Sequence, residues 1–284
     1  MDGRPVVALE TSIVGQGLPH PHNLRAATEC EAAIRAEHAV PATIAVLDGR
    51  LRVGLTRAQL DMIANGAAKV SSRDLGPALA GGLPGATTVA GTMRVAAMAG
   101  IRFFATGGIG GVHRGHPEDE SADLIELSRT RVAVFCAGPK MILDVRLTME
   151  RLETLAVPVL GYGCDEMPAF YTRRSGSHVS ARVDGADATA RAIAAAWETG
   201  STGVVVAVPP PSELEDAEEM IERAVVELTT AAGGEVTPRL LARVAELSGG
   251  RSLDVNVELV VNNARVAAQV ARVFSEKARQ PAAQ

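Results

Sequence analysis

Lysine is nearly absent. The chain has 284 residues and twenty-eight basic side chains, and only Lys69, Lys140 and Lys277 are lysine. Arginine supplies charge wherever a cation merely solvates a surface, because a guanidinium never gives up its proton. A lysine kept against that preference points to amine chemistry, since an amine adds to a carbonyl carbon and a guanidinium does not. Aromatic residues make up 3% of the chain, no basic run exists and the formal net charge is −5. These three features exclude a nucleic-acid polymer as partner. The three cysteines, Cys30, Cys136 and Cys164, are odd in number and lack CxxC spacing. They read as reduced thiols that act as small buried hydrophobes, and they argue against a disulfide or zinc framework. No apolar stretch reaches eighteen residues, so no membrane span is expected. The opening MDGRPVVALE has no apolar segment of signal-peptide length. The expectation is a cytoplasmic protein.

What is present is globular: 47% hydrophobic and 21% charged residues, dominated by alanine, valine and glycine. Short β-branched runs alternate with longer amphipathic ones. PVVALE (5–10), IRFFAT (101–106), VAVFCA (132–137), VPVLGY (157–162) and GVVVAVP (203–209) read as buried strands. Residues 42–54 read as a hairpin turning at Asp48-Gly49. Helices are expected over 22–38, 86–99, 122–128 and 141–155, and again from 187 to 200. One more, capped by Thr56, ends before Gly66, and three near 212–231, 238–248 and 252–277 finish the chain. Segment 163–183 reads as irregular, and 278–284 as a disordered tail. Continuous apolar strands separated by helices predict an α/β fold over 1–284, one domain with a mixed, largely parallel sheet covered on both faces. In such sheets ligands lie beyond the carboxyl ends of the strands. Glu10, the glycine loop after FFAT and Lys140 all fall there.

Lys140 follows a strand through Ala-Gly-Pro and is expected to open a helix, whose N-terminal partial charge lowers an amine's pKa. The plainer alternative is a helix-start lysine facing water. Glu10 ends an otherwise apolar strand; it is either a helix cap or a buried acid suited to proton donation. ATGGIGGVHRG (105–115) reads as a flexible loop, an anion nest or a tight turn. It is not a dinucleotide fingerprint, because His113 stands where that motif needs glycine. Residues Asp119 to Asp123 suit a hard divalent cation that keeps its waters, or else an acidic helix start. Lys69, with Ser71, Ser72, Arg73 and the downstream GATTV (85–89), resembles a phosphate site. His20-Pro21-His22 reads as a loop, Asn262-Asn263 as an interhelix contact, and Lys277 as part of the polar tail.

An amine, an acid, a phosphate site and a metal candidate point to a sugar-phosphate enzyme working through a lysine imine. The segments VVALETSIVGQGLPHPHN, KVSSRDL, GATTVAGTM, FATGGIGGVHRG, DESADL, VAVFCAGPKMILD, PAFYTRRSG and SLDVNVELVVNNA together resemble the pseudouridine-5'-phosphate glycosidases, also called the indigoidine synthase A-like family. The resemblance spans nearly the whole chain. It implies an α/β/α core, a homotrimer, and reversible cleavage of pseudouridine 5'-phosphate to uracil and ribose 5-phosphate with a divalent metal, usually Mn2+. It also implies Glu10 as proton donor, Lys140 as covalent nucleophile and Asp119 as metal ligand. Lys69, Val89, Ser121, Ala122, Asp123, Asn256 and His113 match substrate-site positions. The chain departs from the family in a short spacer, His116-Pro117-Glu118, before the metal aspartate. Three competing readings are a C-glycosynthase of the same fold, a lysine-imine aldolase and a non-enzymatic sugar-phosphate binding protein.

Overall fold

The computed structural model describes residues 4–229 and 236–279. The first half of the chain holds β1 (Val6–Leu9), α1 (His22–Ala36), β2 (Val40–Leu47), β3 (Arg50–Val53), α2 (Arg57–Ala64), β4 (Ala68–Val70), α3 (Leu75–Gly81), β5 (Gly85–Thr87), α4 (Val89–Met98) and β6 (Phe103–Ala105). Then come β7 (Val112–His113), β8 (His116–Glu120), α5 (Ala122–Leu127), β9 (Ala133–Cys136), β10 (Leu143–Asp144), α6 (Val145–Thr154) and β11 (Val159–Tyr162). The chain continues through β12 (Ala181–Val183), α7 (Gly185–Glu198), β13 (Val204–Ala207), α8 (Ala217–Thr229), α9 (Val236–Leu247) and α10 (Arg251–Arg279).

The main sheet runs β12-β11-β13-β9-β6-β1-β2-β5-β4, with β3 also paired to β2. Strands from β12 to β2 are parallel. Both β3 and β5 join β2 antiparallel, which makes the sheet mixed. At the β2–β3 turn Asp48 and Gly49 both take left-handed backbone angles, as a two-residue hairpin of this twist demands.

Successive strand residues feed two different cores, since side chains alternate across a sheet. Val7, Leu9, Phe103, Ala105, Phe135, Val204 and Val206 pack with α1, α7, α8, α9 and α10. Ala8, Phe104, Val134, Cys136, Val205 and Ala207 pack with α3, α4, α5 and α6. A strand buried on both faces has no polar face to show. That is why these segments read as unbroken apolar runs, and the result is a three-layer α/β/α arrangement.

The structure differs from the sequence reading in several places. Residues 85–87 form β5, and the following helix begins only at Val89, because the run pairs with β2 and β4. The helix after Lys140 begins at Val145, with Asp144 accepting from the Leu147 N–H as its cap. Segment 163–183 is not wholly irregular, since β12 lies in it. The glycine loop ends in a small sheet ordered β10-β7-β8. Lys277 lies in α10 and pairs with Asp187 at 2.7 Å, so it is not part of a polar tail. Of the tail expected over 278–284, residues 280–284 lie outside the described residues, as do 230–231 of the helix expected over 212–231. Among the described residues no helix is long and apolar enough to cross a membrane.

Candidate active site

Three neighbouring parallel strands, β9, β6 and β1, deliver the main groups at their carboxyl ends. Leu9 is in register with Ala105, so Glu10 and Thr106, each one residue further on, stand side by side. Phe135 pairs with Ala105, which carries the chain from β9 to Lys140 past the same edge. A cavity of about 330 Å³ opens there. Glu10, Lys69, His113, Asp119, Lys140 and Asn256 line it, with Ser12, Gln16, Gly107, Gly108, Phe170 and Leu241 among the others. Six residues singled out from sequence thus meet in one space, drawn from positions 10 to 256.

Glu10 is 6% exposed, and both its oxygens are engaged. The Thr106 hydroxyl donates to Oε1 and the Ser12 hydroxyl to Oε2. It is not a helix cap. Lys140 sits in the loop after β9, where its N–H donates to the Ile109 carbonyl at 2.9 Å. It does not open a helix, so the helix-dipole argument for its amine does not apply. Neither Lys140 nor Lys69 is ion-paired among the described residues, whereas Lys277, outside the cavity, is.

The glycine loop is packed against protein, contrary to the flexible loop expected. A Cβ on Gly110 would lie 2.1 Å from the Ser121 hydroxyl. A Cβ on Gly138, whose φ is +90°, would lie 1.9 Å from the Pro168 carbonyl. Asp123 explains the first approach. Its buried carboxylate accepts from the Gly110 N–H at 2.7 Å and the Ala90 N–H at 2.9 Å, joining the glycine loop to the start of α4. Ser121 caps α5, and Ala122 is that helix's first residue. Ser121, Ala122 and Asp123 do not line the cavity; they hold its wall.

Lys69 reaches the start of α4 because β4 and β5 are parallel, with Lys69 opposite Ala86. The amides at the β5–α4 junction, residues 87–91, are mostly taken. Thr87 N–H donates to Thr11, Thr88 N–H to Val70, Ala90 N–H to Asp123 and Gly91 N–H to Thr88. Val89 N–H is the one in this run with no partner among the described residues. Val89 as a whole, amide included, has no exposed surface and does not line the cavity.

The short spacer after His-Arg-Gly closes a hairpin: His113 pairs with His116 and Val112 with Glu120. That hairpin returns Asp119 to within 3.9 Å of His113 Nε2. No group of three histidine, cysteine, aspartate or glutamate side chains suited to a metal exists among the described residues. One exposed carboxylate fits a hard divalent ion that keeps most of its water, and does not fit an all-protein cage.

Sequence reasoning missed Ser12, Thr106 and Phe170, none of which carries a local signal. Asn263 was placed wrongly. It is fully buried and donates to the Thr106 carbonyl at 2.8 Å, on the glycine loop instead of a helix. Asn256, two turns earlier on α10, is buried against the cavity with an Oδ1 that accepts nothing. Such an orphaned acceptor is costly unless a ligand donates to it. Beside it burial pushes the Tyr171 phenol up, while nearby Ser252 and Asn256 pull it back.

The family model described as indigoidine synthase A like protein matches residues 1–273. A pseudouridine-5'-phosphate glycosidase of Nocardioides sp. is 53% identical over 96% of this chain and 93% of its own length. One of Escherichia coli is 48% identical over 97% and 92%. Among solved structures, a prealnumycin C-glycosynthase in complex with ribulose 5-phosphate superposes with a TM-score of 0.89 at 39% identity, covering 98% of this chain and 95% of that one. An indigoidine synthase A-like protein of Thermotoga maritima gives 0.90 at 32% identity, covering 97% and 94%.

Proposed function

The chain belongs to the indigoidine synthase A-like family, and on that premise we propose that it cleaves the C-glycosidic bond of pseudouridine 5'-phosphate, reversibly, to uracil and ribose 5-phosphate. One observation carries the reading beyond the likeness. A buried acid, Glu10, and an amine free of ion pairing, Lys140, line the same cavity, beside an orphaned amide oxygen and a second unpaired lysine.

A C-glycosidic bond has no heteroatom leaving group to protonate. Glu10 gives its proton to the ribose ring oxygen as the C1'–O4' bond opens, and the Lys140 amine bonds to C1'. The carbon–carbon bond to the base then breaks. Its electron pair goes to the uracil carbon, which takes up the proton that the Lys140 nitrogen gives up, and C1' is left as an imine on Lys140. Water hydrolyses the imine, releasing ribose 5-phosphate and the free amine. Lys69, which lines the cavity, takes the 5'-phosphate as a point charge. Asn256 accepts from a donor on the sugar or base, and His113 borders the same space. Asp119 would hold a divalent ion, Mn2+ in this reading, which would supply positive charge beside the sugar. The chain acts as a homotrimer in the cytoplasm. Three cysteines without a disulfide support a reducing compartment, and light scattering on the eluting protein tests the trimer.

The decisive experiment incubates the protein with ribose 5-phosphate and borohydride. Mass spectrometry is expected to find the reduced adduct on Lys140, and Lys140→Arg to abolish both the adduct and uracil release. An adduct on Lys69 instead overturns the assignment. The likeness to a C-glycosynthase supports a second reading, joining ribose 5-phosphate to another aromatic. Uracil release at rates far above any such coupling decides for the glycosidase.

A further inference from the structure

We propose that Thr106 and Asn263 are positioning residues that fix one oxygen of the Glu10 carboxyl and so dedicate the other to proton transfer. The inference rests on the proposed role of Glu10. The Thr106 hydroxyl donates to Oε1, and Thr106 is 1% exposed and off the main cavity. The Ser12 hydroxyl donates to Oε2, and Ser12 lines the cavity with Glu10. The two oxygens therefore differ: Oε1 is turned into the protein and Oε2 toward the ligand. Both oxygens accept a hydrogen bond, but Oε1 is held inside the protein by Thr106 while Oε2 shares the cavity with Ser12, so a proton carried on Oε2 is the one that substrate can reach.

Thr106 is itself immobilised at every polar atom. Its N–H donates to the Phe135 carbonyl at 3.0 Å, and its carbonyl accepts from Asn263 Nδ2 at 2.8 Å. The same Asn263 nitrogen lies 3.4 Å from the Gly107 carbonyl, one residue further into the cavity wall. Asn263 has no exposed surface, and its Oδ1 has no partner. A buried amide kept with one orphaned atom costs stability, and leucine would fill the space without that cost. The cost is understandable if the amide serves the two carbonyls beside the acid. Asn256 and Asn263 stand seven residues apart, so one face of α10 meets the ligand with the first and braces the acid with the second.

The test uses the manganese-loaded full chain and follows uracil release from pseudouridine 5'-phosphate. Thr106→Val keeps the shape and removes the donor. It is expected to lower kcat by roughly 10- to 100-fold, within the range a positioned acid contributes, with KM changed less than about threefold. Thr106→Ser restores the hydroxyl and is expected to recover kcat to within about fivefold of the original. Asn263→Leu is expected to show the same kcat-only loss, though smaller, with a melting temperature equal to or above the original. Thr106→Val with unchanged kcat overturns the proposal, as does a loss that raises KM in proportion or that serine does not rescue. Glu10→Gln separates the two claims. If it stays active, the role of Glu10 itself is wrong. If it is dead while Thr106→Val is fully active, only the positioning claim falls.

Discussion

At Lys69 and Lys140 the question is why arginine was not used. Both line the cavity without an ion pair, while Lys277 lies in a surface salt bridge with Asp187. Lys140 needs an amine to form a bond. In the proposed reading Lys69 serves as a compact charge for the phosphate. Phosphate binding there would position the sugar, so unphosphorylated pseudouridine should be a very poor substrate. Lys69→Ala should reduce kcat/KM by roughly 100-fold or more with the nucleotide and far less with the nucleoside; equal losses with both would contradict a phosphate role. The thiols bear no chemistry. Burial pushes Cys30 far up, Cys136 to about 12 and Cys164 to about 11. Below those values each is a thiol and a weak nucleophile. At pH 8 iodoacetamide should therefore modify the native protein slowly, Cys164 first because it alone is partly exposed, with uracil release intact. Rapid inactivation would show a reactive cysteine.

The β7–β8 hairpin carries the metal question. It belongs to a small sheet apart from the main one, and all of β8 is exposed. Anything bound at Asp119 thus acts on β8, an exposed strand, although Val112 of β7 packs in the core. Chelation should abolish turnover while leaving the thermal melt within about 2 °C, and several oxygen-seeking divalent ions should restore activity. Asp119→Ala should raise the metal concentration needed for half-maximal rate. A chelated protein with full activity would reduce the acidic run to a hairpin edge. The helix after Lys140 teaches the opposite lesson. Its start at Val145 was misread because MILD is apolar enough to continue a helical pattern, whereas the backbone at Leu143–Asp144 is claimed by pairing with β7. Likewise Ala86–Thr87 suits either helix or strand by composition, and pairing with β2 and β4 decided it.

Across the whole molecule, two large cores and a smaller one around Ala45, Leu47 and Ala86 share one sheet, and the site stands at the carboxyl ends of its central strands. Phe135 is fully buried in β9, between β6 and β13. Phe135→Ala should cost roughly 3–5 kcal/mol of stability, read as a lower denaturant midpoint, while the KM of the folded fraction stays near the original. A large KM change at unchanged stability would mean that this strand shapes the ligand site directly. The sequence by itself determined the layered α/β class, because continuous apolar strands between amphipathic helices have no other way to bury themselves. It also determined the Asp48-Gly49 turn, and that Glu10 and Lys140 lie at strand ends. Those facts depend on neighbours within a few residues. Only the tertiary structure decided that the Thr106 hydroxyl donates to Glu10, that Asp123 ties loop to helix and stays off the cavity, and that Asn263 donates to the Thr106 carbonyl. Each of these joins residues 13 to 157 positions apart. Hydrogen bonds between distant segments leave no periodicity in a sequence, so strand order and register alone bring them into being.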